Sequence, residues 1–250
     1  MKRREPSRSR TSPGPLELVV RTMMHSDILH VRNGVVVIKG PVGMGKTLTA
    51  LYLSLYHQAR HGLHIYSTAE LYAVAECSCG GRHSIVEDSY WCDKKGRSYS
   101  RHESEFVREV EYTHLSNFWD LQVLCDKLKE AEEPPSSITK GSFLMDDGHK
   151  FLDSRMSQSK VNRLVIGIIQ DYSRSQLDFY ITAHHLDMLD KRLRRHISYF
   201  VTPTFYEGED LCVAEIQEVA SGKATQLRFQ PSLVYPFYKT EERIVQSRYL

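Results

Sequence analysis

The sequence predicts an α/β fold with three layers built around a mainly parallel sheet. Apolar runs of strand length, rich in Val, Ile and Phe, alternate along the chain with segments of helical pattern. This alternation is typical of a parallel sheet that helices cover on both faces. Two further observations agree: a glycine-rich segment at 40–47 joins the first apolar run to a helix, and paired acids end a later run at 143–147.

The elements follow in order from the spacing of apolar residues. Strands are predicted at 34–38, 63–67, 142–145, 179–183 and 197–205, with antiparallel additions at 211–219 and 226–229 around a turn at 221–223. Helices are predicted at 48–56, with Gly62 as a stop, at 106–129 and at 161–173, and a short basic helix or turn at 187–195. The predicted parallel strands come first along the chain, and the antiparallel hairpin follows them at the C-terminal edge of the sheet.

Composition and charge set the domain organisation. The 250 residues are 41% hydrophobic and 26% charged, which is ordinary for a globular domain, and the net charge of +2 indicates no particular partner. Residues 1–15 are basic and rich in Ser and Pro, so we expect a disordered tail before a folded domain at 16–245. We expect no secretory signal and no transmembrane helix, because no apolar run approaches about 18 residues.

The glycine-rich segment has the pattern G-x-x-x-x-G-K-T between a β-branched strand and a helix. Glycines let backbone N–H groups turn around phosphate oxygens, and the helix N-terminus adds a positive dipole end. Lys46 would reach the β- and γ-phosphates, and the Thr47 hydroxyl would ligate Mg²⁺. The candidate nucleotide-binding residues are Gly40, Pro41, Val42, Gly43, Met44, Gly45, Lys46, Thr47 and Leu48. The sequence therefore predicts binding of a nucleoside triphosphate.

The apolar run at 143–145 ends in Asp146 and Asp147. We expect this strand beside the first strand, where its carboxyl end brings a carboxylate close to Mg²⁺. Asp146 is the candidate Mg²⁺ partner, and Asp147 the residue that orients or deprotonates the attacking water. Two acids that open a turn before Gly148 are the alternative; the phosphate loop upstream favours the functional interpretation.

Polar and basic residues follow the strand at 179–183. His184 comes where a γ-phosphate sensor would lie, although a structural histidine is the equal alternative. The run 190–196 is mostly basic, which fits a solvated face, arginines supplied to a neighbouring subunit, or contacts to DNA phosphates. Arg155 and Arg174 are further candidates for an arginine that acts in trans, and the sequence does not choose among them.

Three of the five cysteines lie in a polar insertion at 75–104. Cys77 and Cys79 precede one glycine turn and Cys92 precedes another, a pattern typical of a zinc ribbon. A structural zinc site needs four ligands, so His83 or His102 would complete the set. The alternative is an inserted loop without metal. Cys125 and Cys212 lie in apolar patterns and are predicted core residues.

In this order the motifs resemble the FtsK–HerA superfamily of pumping ATPases, and within it the genome-packaging ATPases of icosahedral viruses, including archaeal viruses and tailless phages. The resemblance rests on the Walker A loop at 40–47, the Walker B strand at 143–147, the run 152–162, and the sensor strand followed by 189–194; the ending 234–242 also fits. It covers roughly residues 28–70 and 106–245.

The resemblance implies an ASCE, RecA-like P-loop NTPase fold for the ATPase domain at 16–245. It also implies ATP hydrolysis with Mg²⁺, a pentameric or hexameric homo-oligomeric ring, and movement of double-stranded DNA into a capsid. The expected location is the host cytoplasm or the virion, and the insertion would dock a portal protein, the capsid or DNA. Other P-loop DNA motors, of conjugation or helicase type, and a nucleotide-binding scaffold with little turnover remain rival functions.

The implied catalytic set is Lys46, Asp146, Asp147, His184 and an arginine from the next subunit. Two residues depart from the family pattern. Asp147 stands where the family usually has Glu, and its side chain is one methylene shorter. His184 stands where the family usually has Gln. Both departures bear on the rate of hydrolysis more than on nucleotide binding.

Overall fold

A computed structural model describes residues 34–79, 81–104, 106–116, 118–130, 141–156, 159–170 and 177–238. Its α-helices are α1 at Lys46–His61, α2 at Phe118–Glu130 and α3 at Lys160–Gln170. Among these described helices we find none with the length and apolar character of a bilayer-spanning segment. The predicted tail at 1–15 and Arg174 lie outside the described residues.

Strands within these ranges form one large sheet and two small ones. They are β1 Val35–Lys39, β2 His64–Ser67, β3 Val74–Glu76, β4 Arg82–Ser84, β5 Ser89–Cys92, β6 Arg97–Ser100, β7 Phe106–Arg108, β8 Tyr112–His114, β9 Gly141–Met145, β10 Leu177–Ala183, β11 Ile197–Tyr206, β12 Leu211–Glu218 and β13 Ala224–Phe229. The large sheet has the order β13-β12-β11-β1-β10-β9-β2-β8. The strands from β11 to β8 are parallel, and β12 and β13 add antiparallel pairs. The predicted fold class is confirmed.

Side chains along each strand alternate between two cores, as the pleat requires. Val36 and Ile38 pack with α1 on one face, whereas Val35 and Val37 pack with α2 and α3 on the other. Because both faces are covered, the central strands read as continuous apolar runs. The molecule therefore has three layers, and the carboxyl ends of β1, β9 and β10 meet at one edge of the sheet.

Two expectations about the elements were wrong. The acidic strand β9 does not lie beside β1, because β10 lies between them and pairs with both. An apolar run indicates that a strand is buried and carries no information about its neighbours. The helix expected at 106–129 begins only at Phe118, since β7 pairs with β3 and β8 pairs with β2. Pairing with strands distant in sequence overrides the local helical pattern there.

Helix α1 ends where the sequence predicts. Gly62 follows it with φ 64° in the left-handed region, and its N–H donates to the carbonyl of Gln58. A glycine takes this conformation without the steric cost that a Cβ brings. The amphipathic pattern of α2 also holds, because Leu121 and Leu124 are buried. The side chain of Cys125 lies outside the described part of the chain.

An inserted module, residues 74–108, lies between β2 and β8. It consists of a three-stranded sheet of order β4-β3-β7 and a β5–β6 hairpin. Its sheet extends past both ends of the range 75–104. The module has its own small core, which is separate from the two cores of the large sheet and contains Ala75, Cys77, Ile85, Tyr90, Cys92 and Tyr99.

Candidate active site

The phosphate loop connects β1 to α1 and depends on two glycines in the left-handed region. Gly43 has φ 81° and Gly45 has φ 84°, a conformation that glycine adopts without strain. A Cβ on Gly45 would also lie 3.4 Å from the sulfur of Cys212. Cys212 is fully buried beneath the loop, as the sequence predicts, and burial raises the pKa of its thiol to about 11.

Lys46 lies inside the curve of the loop with 8% of its surface exposed. Its ammonium donates to the carbonyl oxygen of Pro41 at 2.8 Å and lies 3.5 Å from Nδ1 of His184. The structure thus brings together the loop lysine and the histidine that follows the sensor strand. The pair is formed across 138 sequence positions because β1 and β10 are neighbours in the sheet.

Asp146 is the centre of a threonine cluster. Its Oδ1 atom accepts the hydroxyl of Thr47 at 2.8 Å and the hydroxyl of Thr182 at 2.7 Å. Its backbone N–H donates to the hydroxyl of Thr68 at 2.9 Å. Thr47 and Asp146, the two predicted Mg²⁺ ligands, are therefore in direct contact. Sequence reasoning missed Thr68 and Thr182; their one signal is that each lies at the carboxyl end of a parallel strand.

Asp147 adopts the left-handed conformation, with φ 50° and ψ 53°. Its N–H donates to the Thr182 hydroxyl at 2.8 Å, and its Oδ2 atom lies 3.0 Å from the Lys150 ammonium. Partial burial alone would raise the pKa of this carboxyl. The hydrogen bond and charge of Lys150, with smaller effects of His149 and His184, outweigh burial and hold the pKa below its usual value. Asp147 is therefore ionised near neutral pH. Lys150 was not assigned from the sequence.

His184 has a second histidine beside it. The ring of His149 lies 6.0 Å from the ring of His184, measured between centroids. His149 follows Gly148, which is buried against Ile181 of β10. The turn after β9 thus carries Asp147 and His149 to the same edge of the sheet as His184 and the phosphate loop.

The run 152–155 and the basic run 189–195 are neighbours in space. The N–H of Asp190 donates to the carbonyl of Leu152 at 2.8 Å. Asp190 is 1% exposed, and its carboxylate accepts hydrogen bonds from the backbone N–H, Nε and Nη2 of Arg192. Asn162 adds a contact of 3.3 Å to the same carboxylate. These hydrogen bonds hold the run 152–162 against the run 189–195.

The candidate arginines differ in their partners. Arg192 is held by the buried carboxylate of Asp190, so at this position the run has a structural contact besides its solvated face. Arg194 donates to the carbonyl of Leu189 and pairs with Asp187. Arg155 is exposed and pairs with Asp153 at 3.0 Å. Arg195 is exposed, which leaves it accessible to a neighbouring molecule.

Four side chains of the inserted module that could bind a metal ion lie close together: Cys77, Cys79, His83 and Cys92. The sulfur of Cys92 lies 3.7 Å from that of Cys77 and 3.5 Å from that of Cys79, and Nε2 of His83 lies 3.7 Å from the Cys79 sulfur. His102 is exposed on the turn after β6 and does not join the cluster. The N–H of Cys79, followed by the neighbouring thiols, lowers the pKa of the Cys77 thiol to about 7 despite the opposing effect of burial.

The sheet order and the phosphate loop define the fold of a P-loop NTPase. Among solved structures, the chain is similar to the N-terminal domain of zonular occludens toxin from Neisseria meningitidis, with 13% identity and a TM-score of 0.47 over 83% of this chain and 100% of that one. It is also similar to the genome packaging NTPase B204 from Sulfolobus turreted icosahedral virus 2 in complex with ATP-gammaS. That match has 11% identity and a TM-score of 0.45 over 78% of this chain and 96% of the other.

A third similar structure is B204, the DNA-packaging ATPase from Sulfolobus Turreted Icosahedral Virus. It has 12% identity and a TM-score of 0.43 over 78% of this chain and 97% of that one. No protein-family model matches the chain, and no curated protein matches it.

Proposed function

We propose that the chain is an ATP-hydrolysing DNA translocase that packages double-stranded viral DNA into a capsid. The observation that carries the hydrolytic part is the contact of 2.8 Å between the Thr47 hydroxyl and the Asp146 carboxylate. It joins the phosphate loop to the acidic strand end, and Asp147 follows directly. Nucleotide binding and a hydrolytic carboxylate are thereby supported at one edge of the sheet.

The residues present fit ATP and Mg²⁺. The hydroxyl of Thr47 and the carboxylate of Asp146 are hard oxygen donors of the kind that Mg²⁺ prefers. The left-handed glycines of the loop and the nearly buried Lys46 ammonium suit a phosphate chain. Bound Mg²⁺ supplies charge neutralisation on the phosphate oxygens. Lys46 would exchange its hydrogen bond to the Pro41 carbonyl for one to a phosphate oxygen.

Asp147 is the residue assigned to the attacking water. Its carboxylate is ionised, so it accepts a proton or a hydrogen bond from water without a prior change of charge state. His184, close to the Lys46 ammonium, is assigned to the γ-phosphate. An arginine from the next subunit of a homo-oligomeric ring would complete the site, and Arg155, Arg174 and Arg195 are the candidates for it.

The packaging role is supported by the motifs that the resemblance uses. The run 152–162 contacts the run 189–194 through Asp190, which bonds to Leu152 and Asn162. This contact gives a physical reason why the two motifs are found in the same protein. The basic run is partly exposed at Arg195, where it can contact DNA phosphates. The proposed partners are double-stranded DNA and a capsid or portal protein, and the proposed location is the host cytoplasm or the virion.

One observation favours a second candidate function, a nucleotide-binding scaffold with little turnover. The Asp147 carboxylate is held by Lys150 at 3.0 Å, and aspartate reaches less far than the glutamate that the family usually has. In hydrolysis the attacking water would compete with Lys150 for this carboxylate. A scaffold would keep the ion pair and bind ATP without releasing phosphate.

The test is phosphate release from ATP and Mg²⁺, measured with assembled protein in the absence of DNA and with double-stranded or single-stranded DNA of equal length. Lys46→Ala is the control, because it removes the ammonium and leaves the loop glycines in place. We expect double-stranded DNA to stimulate release and the control to abolish it.

The other results separate the rivals. Stimulation by single-stranded DNA alone would favour a motor of conjugation or helicase type. Tight binding of ATP with no release under any DNA condition would favour the scaffold and end the translocase proposal.

A further inference from the structure

The cysteine cluster of the inserted module has the dimensions of a metal site. The four ligand atoms of Cys77, Cys79, His83 and Cys92 all lie within 4.8 Å of one another, and the shortest contacts are 3.5 to 3.7 Å. A tetrahedral zinc ion with Zn–S bonds of about 2.3 Å holds neighbouring sulfurs roughly 3.8 Å apart. The side chains therefore surround a space that suits one such ion.

We propose that these four residues bind one structural Zn²⁺ ion and that the ion holds the module together. This site is separate from the proposed ATP site and does not depend on it. Three thiolates and one imidazole form a closed donor set, with no position left for water or substrate. A Cys₃His set selects zinc over Mg²⁺, which prefers oxygen ligands.

A disulfide explains the cluster less well. A bridge would join two of the three sulfurs, leave the third thiol without a covalent partner and give His83 no role. The three cysteines are free thiols in this structure, and the His83 nitrogen is as close to sulfur as the sulfurs are to one another. One ion with four ligands accounts for all four side chains.

The ligands come from separate pieces of the module. Cys77 directly follows β3, Cys79 lies in the next turn, His83 belongs to β4, and Cys92 ends β5. β5 and β6 form a sheet of their own, and the cluster joins this sheet to the three-stranded sheet beside the stacked rings of His83 and Tyr90 and the small apolar core. Zinc would therefore connect the two small sheets.

The module needs such a connection because its apolar core is small. Among the described side chains of the module, six buried residues form the core, and two of them, Cys77 and Cys92, are proposed ligands. A polar segment of this size rarely buries enough apolar surface to fold by itself, and metal binding supplies folding free energy in small domains of this kind. Loss of the ion is expected to unfold the module first.

The module also contacts the main domain near the C-terminal end of the described chain. The Ser84 hydroxyl donates to the carbonyl of Pro236 at 2.6 Å, and just before the module the Tyr72 N–H donates to the carbonyl of Phe237 at 2.8 Å. Phe237 belongs to the core that includes α1. The phosphate loop lies outside these contacts, so removal of zinc should affect the module and leave nucleotide binding in place.

The experiment measures zinc in the full chain by elemental analysis after expression with zinc and gel filtration. We expect about one zinc per chain, and less than ~0.2 in Cys92→Ser and His83→Ala, because each lacks one ligand. His83→Cys should keep the ion, since it exchanges one suitable ligand for another. His102→Ala should keep it too, as a control at the histidine outside the cluster.

A second measurement covers variants that fail to fold. Wild-type protein reconstituted with Co²⁺ should show the intense visible bands of tetrahedral thiolate coordination. Zinc below ~0.2 per chain in wild-type protein together with no such bands would overturn the proposal, since a closed site binds its metal tightly. Full zinc in His83→Ala with loss in His102→Ala would overturn the ligand set. None of these readouts uses ATP hydrolysis, so failure here is distinct from failure of the proposed function.

Discussion

The Thr182 hydroxyl connects the two acids that follow β9. It donates to Oδ1 of Asp146 at 2.7 Å and accepts the N–H of Asp147 at 2.8 Å. Since Asp146 also accepts the Thr47 hydroxyl, one side chain at the end of β10 links the acidic turn to the phosphate loop. The position of β10 between β1 and β9 makes this link available.

Replacement of Thr182 by Val should lower hydrolysis more than nucleotide binding. The substitution keeps the shape but removes the donor to Asp146 and leaves the Asp147 N–H without that acceptor. We expect a loss of stability of about 1–3 kcal/mol and a fall in kcat of roughly tenfold or more, because a misplaced carboxylate loses alignment with the water. Chemical denaturation and phosphate release measure the two effects.

Thr182→Ser is the matched control, because it keeps the hydroxyl and removes only a methyl group. It should retain most of the activity. Wild-type turnover in Thr182→Val, with nucleotide affinity also unchanged, would show that Thr182 does not position the acids.

Replacement of Lys150 by Met should raise the pKa of Asp147. The hydrogen bond and charge of Lys150 lower this pKa against the effect of burial. The shifted carboxyl therefore contributes stability that is present above its unfolded pKa of about 3.9 and is lost as the pH falls through the folded value. In Lys150→Met the Asp147 carboxyl should protonate at a higher pH, and this contribution to stability should shrink.

The measurement is the carboxyl carbon shift of Asp147 followed by NMR between pH 2 and pH 7, a range chosen to span an ordinary aspartate pKa of about 3.9. Lys150→Arg is the control, since it keeps the charge and should titrate near the wild-type value. Equal midpoints in the Met variant and the wild type would mean that the ion pair seen at 3.0 Å does not hold the carboxylate in solution.

The sequence predicts the phosphate loop well because its chemistry is local. The loop glycines, Lys46 and Thr47 are consecutive or nearly so, and their spacing alone is enough to predict the candidate site. Asp146 and Asp147 follow from a similar local signal, an apolar strand that ends in acids. The fold class follows from the alternation of strands and helices, which reports burial.

Other features depend on contacts that no local pattern encodes. Thr182 meets Asp146 across 36 positions and Thr68 meets it across 78, and a threonine at a strand end has no signature of its own. The order of the strands in the sheet could not be predicted either, because it depends on pairing between segments that are distant in sequence. In the insertion, the choice between His83 and His102 needed the pairing of β3 with β4, which brings His83 to the cysteines.

Arg192 and Arg195 should behave differently when each is changed to Ala. Arg192→Ala removes two side-chain hydrogen bonds, from Nε and Nη2, to the buried carboxylate of Asp190, whereas the backbone N–H keeps the third. We expect it to lower the free energy of unfolding by about 2–3 kcal/mol, as for other charged hydrogen bonds to a buried partner. Arg195 is exposed, so Arg195→Ala should change stability by less than about 0.5 kcal/mol.

Chemical denaturation of both variants, side by side with wild type, checks this difference. Equal stability of the two variants would contradict the role of Asp190 as a structural anchor for the run 189–195. Because Arg195→Ala should fold normally, a change in its DNA-stimulated phosphate release would report on the function of Arg195 rather than on stability.

Gly148 and Gly167 differ in the space that the structure leaves for a Cβ. A Cβ on Gly148 would lie 2.3 Å from Cγ2 of Ile181, a β-strand side chain that is fully buried, and 3.2 Å from the carbonyl oxygen of Thr182. Gly148→Ala must therefore push the acidic turn away from β10, which should cost about 1–3 kcal/mol and reduce turnover through displacement of Asp147. A Cβ on Gly167, in α3, meets nothing within 4 Å, so Gly167→Ala should be neutral or stabilise by up to about 1 kcal/mol. Thermal unfolding and phosphate release of both variants test the contrast, and wild-type behaviour of Gly148→Ala would mean that the turn does not depend on this close approach.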